Sequence, residues 1–317
     1  MAQVSTKTLV APSQGSRVWQ GIALITTGAI CFSTAIIFIR WTDDLPTTTI
    51  NFYRALFAFL FLLSFTPHNR EPLHVRAYRA QIPRLLVLGT LVCSTALLYT
   101  YGVQNTTAAN AALLNNSAPL YVAVLGPLVL KEPRGRTVVP SLILAIVGIV
   151  LISDPTKLKL NSDNFAGIIA SAVSGLTYAV LMITSRGLGG RINGLTQNLW
   201  TTGFITVALL PLALRSPSDV VLHNLPVLIP MGILSFGLPY LLYFYGLSRT
   251  PVQVVSIVAL MEPVAGIVIG ILMFGETLGE VGALGAALIL GSIVLITRGT
   301  PHAPRGNAVE AASPPAA

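Results

Sequence analysis

Charge is what this sequence has least of. Only 9% of its 317 residues are Asp, Glu, Lys or Arg, against about a quarter in soluble domains. A surface of ordinary water-facing polarity is therefore excluded. Acidic residues number 11 in all, too few and too scattered for paired acid–base catalysis. Cysteine is limited to Cys31 and Cys93, both inside apolar runs, so neither a disulfide framework nor a cysteine-rich metal site is available. The four histidines, His68, His74, His223 and His302, fall in polar connections or in the tail. No Gly-rich loop ending in Gly-Lys-Ser/Thr occurs, which removes the phosphate cradle of nucleotide hydrolysis. No Ser/His or metal constellation lies inside the apolar runs. The chain is expected to be no enzyme and to carry no cofactor or metal.

What it has is apolar length. Hydrophobic residues make up 53%, gathered in runs of about twenty, the length an α-helix needs to cross ~30 Å of hydrocarbon. The pattern predicts an all-α polytopic membrane protein with ten transmembrane helices, at about 18–39, 48–66, 84–103, 108–130, 138–153, 165–185, 195–214, 225–247, 252–274 and 279–297. Residues 1–17 are Ser/Thr-rich and 300–317 Pro/Ala-rich, and both read as disordered tails. The first apolar run is too long for a signal peptide and lacks its small-residue cleavage pattern. The net charge of +8 is a topology signal rather than a nucleic-acid footprint, because the basic residues sit in short connections. If the N-terminus is inside, only Arg40, Lys157, Lys159 and Arg215 lie outside, and the other fourteen Lys and Arg beyond the spans lie inside. Both termini are therefore expected in the cytoplasm.

The chain also carries one stretch twice. Shifted by 144 residues, Leu98–Ser153 falls on Leu242–Thr297 without a gap. Tyr99, Tyr101, Gly102, Thr106, Pro119, Gly126, Glu132 and Gly135 recur as Tyr243, Tyr245, Gly246, Thr250, Pro263, Gly270, Glu276 and Gly279. At offset 146, Gly21 meets Gly167 and Arg40 meets Arg186. Two units follow, 18–153 with spans 1–5 and 154–299 with spans 6–10. Five spans is an odd number, so the second unit must enter the membrane in the opposite sense. Such inverted repeats place a central cavity at the repeat interface, an arrangement typical of secondary transporters.

The segment from Ala96 through Ala118-Pro119-Leu120 to Leu130-Lys131-Glu132, and its copy through Leu260-Met261-Glu262-Pro263 to Phe274-Gly275-Glu276, resemble the EamA-type repeat of the drug/metabolite transporter superfamily. Phe32–Arg40 and Arg54 resemble the aromatic-to-basic stretch of span 1 and the arginine of span 2 in that family. The resemblance covers about residues 18–299. It implies ten helices around a central cavity, transport without a nucleotide, and kinship with bacterial exporters of amino acids, including aromatic ones. Cys31-Phe32-Ser33 stands where a Trp-Gly-Ser type sequence is usual. The expected setting is the bacterial inner membrane, with a small-molecule substrate and lipids as partners. The alternative is efflux of an organic cation or drug, and a channel or membrane scaffold is a further class.

Within the spans, two ionisable residues stand out, since charge in a bilayer is costly and marks functional positions. Glu262 is mid-span, where its repeat partner is Ala118. It reads as a proton carrier or ammonium partner, or else as a protonated structural hydrogen-bonder. Arg54 reads as a carboxylate clamp through its planar donor fork, or as a partner of Asp43 or Asp44, or as snorkelling. Pro119 and Pro263 break the helical ladder and free the carbonyls of Asn115 and Ala259. Asn115 and Asn116 beside the first break, Tyr99, Tyr243 and Trp200 complete the substrate-binding candidates. Thr196-Gln197-Asn198 and Thr47-Thr48-Thr49 with Asn51 read either as polar entrances or as helix caps. Small residues in span 10 (Gly279, Gly282, Ala283, Gly285, Ala286, Ala287) and Gly266 with Gly270 in span 9 permit close packing, internally or in a homodimer.

Overall fold

Apolar runs in hydrocarbon must satisfy their own backbone groups, and helices do so within a single segment. In the computed structural model, residues 14–68, 79–106, 108–132, 135–153, 165–274 and 279–299 are described. Arg70, Arg76, Arg134, Lys157, Lys159, Glu276 and the tails at 1–13 and 300–317 lie outside them. The described helices form ten rods. Rod 1 is α1 (Gln14–Phe32) and α2 (Ala35–Arg40); rod 2 is α3 (Thr47–Leu63); rod 3 is α4 (Ile82–Asn105). Rod 4 is α5 (Ala108–Asn115) and α6 (Ala118–Leu130), and rod 5 is α7 (Val138–Ser153). Rods 6 and 7 are α8 (Phe165–Leu188) and α9 (Gly194–Ala213). Rod 8 is α10 (Ser218–Gly232), a π-helical turn (Ile233–Gly237) and α11 (Leu238–Arg249). Rod 9 is α12 (Val252–Val258) and α13 (Met261–Phe274), and rod 10 is α14 (Glu280–Arg298).

Seven rods are long and apolar enough to cross a membrane. The other three are shorter or more polar: α3 and α7 are apolar but brief, and α9 opens with Thr196, Gln197 and Asn198. Two boundaries differ from expectation. Helix α1 begins at Gln14, so residues 14–17 are helical rather than part of a tail. Helix α10 begins at Ser218, two turns before the expected 225, because Pro217 presets the entry and Asp219 favours the positive first turn. Elsewhere the punctuation is local. Pro46 and Pro251 precede α3 and α12 in extended conformation, and the Asn193 side chain accepts from the Thr196 amide to open α9.

The most extensive pairings are α4 with α8, α1 with α11, α3 with α9 and α7 with α14. The first two exchange under the repeat, and the last two each join a rod to its own repeat partner, so the packing has a two-fold pattern. Glycine makes the tight crossings possible. A Cβ on Gly21 would lie 2.0 Å from the Thr250 hydroxyl oxygen, and one on Gly167 would lie 2.7 Å from the Asn105 carbonyl oxygen. These are repeat-related contacts, and they fix direction. Rod 1 begins beside Thr250, and its partner rod 6 begins beside Asn105 and Thr106. Gly285 likewise approaches the Gly148 carbonyl, to 2.7 Å from its would-be Cβ. This small residue of rod 10 is thus spent on internal packing.

Candidate functional site

Rods 4 and 9 are each broken within one residue of the same register. In rod 4 the break is at Asn116–Ser117, in rod 9 at Ala259–Leu260, and the prolines expected to kink a continuous helix instead sit in the first turn of a new one. The geometry suits proline, whose missing donor is no loss in the first turn, where Pro119 is at N2 and Pro263 at N3. The freed carbonyl of Ala259 accepts from the Glu262 amide (3.0 Å), and beside the first break the Leu114 carbonyl accepts from the Ser117 amide (3.2 Å). At Ala259 a tight turn thus satisfies a carbonyl that the sequence left to be satisfied by a cavity.

A cavity of about 500 Å³ opens beside these breaks. Ser33 and Arg40 line it from rod 1, Tyr99 from rod 3, Asn116 from rod 4, and Glu262 with Gly266 from rod 9. Rod 1 starts at the Thr250 end of the assembly, so Arg40, at its far terminus, marks the opposite end, and the cavity reaches that end. Beneath it lies an inner pocket of about 40 Å³ lined by Arg54, Asn115, Phe32, Tyr178, Phe236 and Tyr240, with Tyr99 and Glu262 common to both spaces. Glu262 therefore stands at the junction of the cavity and its floor.

Arg54 is 3% exposed. One terminal nitrogen donates to the Ser235 carbonyl in the π-turn at 2.7 Å, and the guanidinium lies 4.7 Å from the Phe236 ring centroid. Its Nε has no partner among the described residues. No ion pair joins Arg54 to Glu262, Asp43 or Asp44 within 4.0 Å among the described residues; Asp43 instead faces the exposed His223 at 3.9 Å. Neither the Asp43/Asp44 pairing nor snorkelling is what holds Arg54. Burying a cation without a counter-charge costs several kcal/mol, so a carboxylate entering this pocket would find a donor fork with a free position.

The chain matches the EamA-like transporter family over residues 19–154 and again over 165–298. It belongs to that family. An uncharacterized transporter of Archaeoglobus fulgidus is 29% identical over 88% of this chain and 96% of its own length. One from Helicobacter pylori is 27% identical over 87% of this chain and 94% of its own. Protein PecM of Dickeya dadantii is 25% identical over 58% and 63%. A crystal structure with a TM-score of 0.73, at 15% identity, covers 87% of this chain and 98% of its own, which speaks to the fold alone.

The remaining candidates of this EamA-like transporter divide. Asn115 Oδ1 accepts from Ser174 Oγ (3.0 Å), fixing one inner-pocket wall. Asn116 Nδ2 donates to the Ala112 carbonyl (2.8 Å) from the cavity side. Tyr243 is fully buried, in edge contact with Phe32 and stacked on Tyr178 (5.9 Å, 28°), and its hydroxyl reaches Met182 Sδ at 3.8 Å. It lines neither space. Trp200 lies in a separate apolar groove of about 470 Å³ between rods 2, 3 and 7, with Phe59, Leu85 and Phe204. It is not at the central site. Gln197 and Asn198 are buried and bonded, to Ser185 Oγ and the Ile192 carbonyl, and to the Gly237 carbonyl. The polar start of rod 7 is a packing network, not a wet entrance.

Sequence reasoning missed Tyr178 and Phe236 of the inner aromatic wall and the π-turn that carries Ser235 to Arg54. A signal existed. Gly232 and Gly237 flank the turn, and Pro230 and Pro239 lie just beyond them. A Cβ on Gly232 would lie 2.8 Å from the Arg54 carbonyl oxygen, so the glycine lets rod 8 close onto rod 2.

Proposed function

We propose that this EamA-like protein is a secondary transporter that exports amino acids or related small metabolites across the bacterial cytoplasmic membrane by alternating access. In this reading all ten rods cross the bilayer as two inverted five-helix repeats, with both termini in the cytoplasm. The imbalance of basic residues between the two sets of connections supports that orientation. The Arg40 end then faces outward.

One observation carries the substrate class. A buried Arg54 with an unused donor and a mid-rod Glu262 share one pocket without pairing to each other. A zwitterion brings both complementary charges: its carboxylate to the Arg54 fork and its ammonium to Glu262. The alternative substrate, an organic cation, would draw on Glu262 and the aromatic rings but would leave Arg54 without a purpose. Self-association through a small-residue face would use the exposed Ala283 and Ala287 of rod 10 rather than the buried Gly285.

The test is uptake and counterflow in proteoliposomes against labelled amino acids and organic cations. The expected result is saturable flux with counterflow of an amino acid. Flux that rises linearly with concentration and shows no counterflow would make the protein a channel, and saturable flux of cations alone would select the alternative. Thiol labelling of intact cells checks the orientation: Arg215→Cys should react with an impermeant reagent, and Arg191→Cys should not.

A further inference from the structure

The two ends of the rod assembly are built on the same register but are in different states. At the Arg40 end, Ile36, Tyr99 and Ala112 line an open cavity. Their repeat partners at the other end are Met182, Tyr243 and Ser256, which are 0%, 0% and 2% exposed. Arg40 lines the open mouth; its partner Arg186 is engaged. Arg186 Nε donates to Glu132 Oε1 at 2.8 Å, and its Nη1 donates to the carbonyls of Leu247 and Ser248, both at 3.0 Å. Glu132 Oε2 in turn accepts from the Val252 amide at 3.0 Å.

These contacts join four rod ends. Glu132 follows rod 4, Arg186 lies in the last turn of rod 6, Leu247 and Ser248 close rod 8, and Val252 opens rod 9. Arg186 meets the C-terminal carbonyls that α11 leaves unsatisfied, and Glu132 meets an N-terminal amide of α12. Each charge therefore opposes the matching pole of a helix end, and the pair ties the first repeat to the turn between rods 8 and 9. The side chains are 25% and 18% exposed, so water can reach the pair and compete for it.

We propose that Arg186 and Glu132 form a charged clasp that holds shut the end opposite the open cavity, and that its release exposes the pocket to that end. The inference rests on the alternating-access reading above, but its test needs no substrate.

In a background with Cys31→Ala and Cys93→Ala, Ser256→Cys reports on the closed end and Ala112→Cys on the open one. Both are labelled with an impermeant maleimide in right-side-out and inverted vesicles. With the clasp intact, Ala112→Cys should react and Ser256→Cys should be protected. In Glu132→Gln, labelling of Ser256→Cys should rise about tenfold while that of Ala112→Cys falls, as expected for losing one charge-assisted bond from the closed state. If Glu132→Gln is not recovered as folded protein, Arg186→Lys keeps the charge, removes the fork and should shift both reporters the same way. Unchanged labelling of both thiols overturns the proposal. A parallel rise at both overturns it as well, since that is the mark of a static tie whose loss loosens the fold. If transport assays fail to find an amino acid but the reporters move reciprocally, the substrate reading falls and the clasp stands.

Discussion

The Arg40 end and the Arg186 end share tyrosine, arginine and glycine at matching positions of the repeat, and one is open where the other is packed. Tyr99 faces a cavity, whereas Tyr243 is stacked against Tyr178. Arg40 sits at a mouth, whereas Arg186 is bound to a carboxylate and two carbonyls. A repeated sequence thus supports two different packings within one chain. In the alternating-access reading proposed above, the difference reflects which arrangement of the halves is populated. Two of the departures between the repeats lie at the floor of the cavity. Glu262 replaces Ala118, and rod 8 has a π-turn where α4 of rod 3 is unbroken. Shared register builds the scaffold, and broken register marks the pocket.

The largest effect is expected where the two halves are most alike. The crossings at Gly21 and Gly167 leave no space for a side chain, and at Gly167 the obstruction is backbone: the Asn105 carbonyl oxygen would lie 2.7 Å from a new Cβ. Gly167→Val should destabilise the fold by about 1–3 kcal/mol or more through overpacking, read as a lower thermal midpoint in detergent and lower membrane abundance. Gly279→Ala, with nothing among the described residues within 4 Å, should stay within about 0.5 kcal/mol of the parent. Equal midpoints for the two variants would mean that the rods do not cross as closely as described.

Next in size is the position where the halves differ in chemistry. Glu262→Gln keeps the shape of the side chain and removes its charge. If Glu262 holds a substrate ammonium, affinity should fall by ~1.5–3 kcal/mol, about ten- to a hundredfold, whatever the pH gradient. If it carries a proton instead, gradient-driven uptake should be lost while exchange of substrate down its own gradient persists. Counterflow and gradient-driven uptake in the same proteoliposomes separate the two. Wild-type values for both would reduce Glu262 to a structural hydrogen-bonder, and the contrast with Ala118 to packing.

How much of this was legible in the sequence depends on which physics wrote it. Helical rods, their number and the pairing of halves follow from apolar length and from Gly and Pro at fixed register, which act locally. Glu262 and Arg54 stand out in the sequence because charge is costly in hydrocarbon and so is conspicuous wherever it occurs, and both line the inner pocket. The breaks at Asn116–Ser117 and Ala259–Leu260 were legible in place but not in consequence: which donor answers the Ala259 carbonyl is decided by how the chain turns after the break. Trp200 and Tyr243 were misplaced because a helix has two sides, and which side meets a cavity depends on its neighbours. The Arg186–Glu132 pair was present as two repeated residues without a role, since 54 positions separate them and only the packing of rods 4 and 6 brings them together.

The smallest expected effect tests the comparison at one atom on each side. Tyr243→Phe removes a hydroxyl that reaches a thioether, a weak acceptor, and hydrogen-bonds the Tyr178 hydroxyl, and it leaves the ring stack intact. The loss should be at most about 1 kcal/mol, a shift on the order of 2 °C in the thermal midpoint, with little change in substrate affinity. Tyr99→Phe removes the same group from the junction of the cavity and the inner pocket. Its midpoint should stay put while the KM for transport rises severalfold, because a hydroxyl facing a substrate contributes to binding and not to packing. The two variants thus exchange phenotypes if the halves exchange states. Under conditions that favour the opposite packing, such as the Glu132→Gln background, Tyr243→Phe should become the affinity variant and Tyr99→Phe the stability variant. If each keeps its own phenotype in both backgrounds, the difference between the ends is fixed in the fold and the two packings do not interconvert.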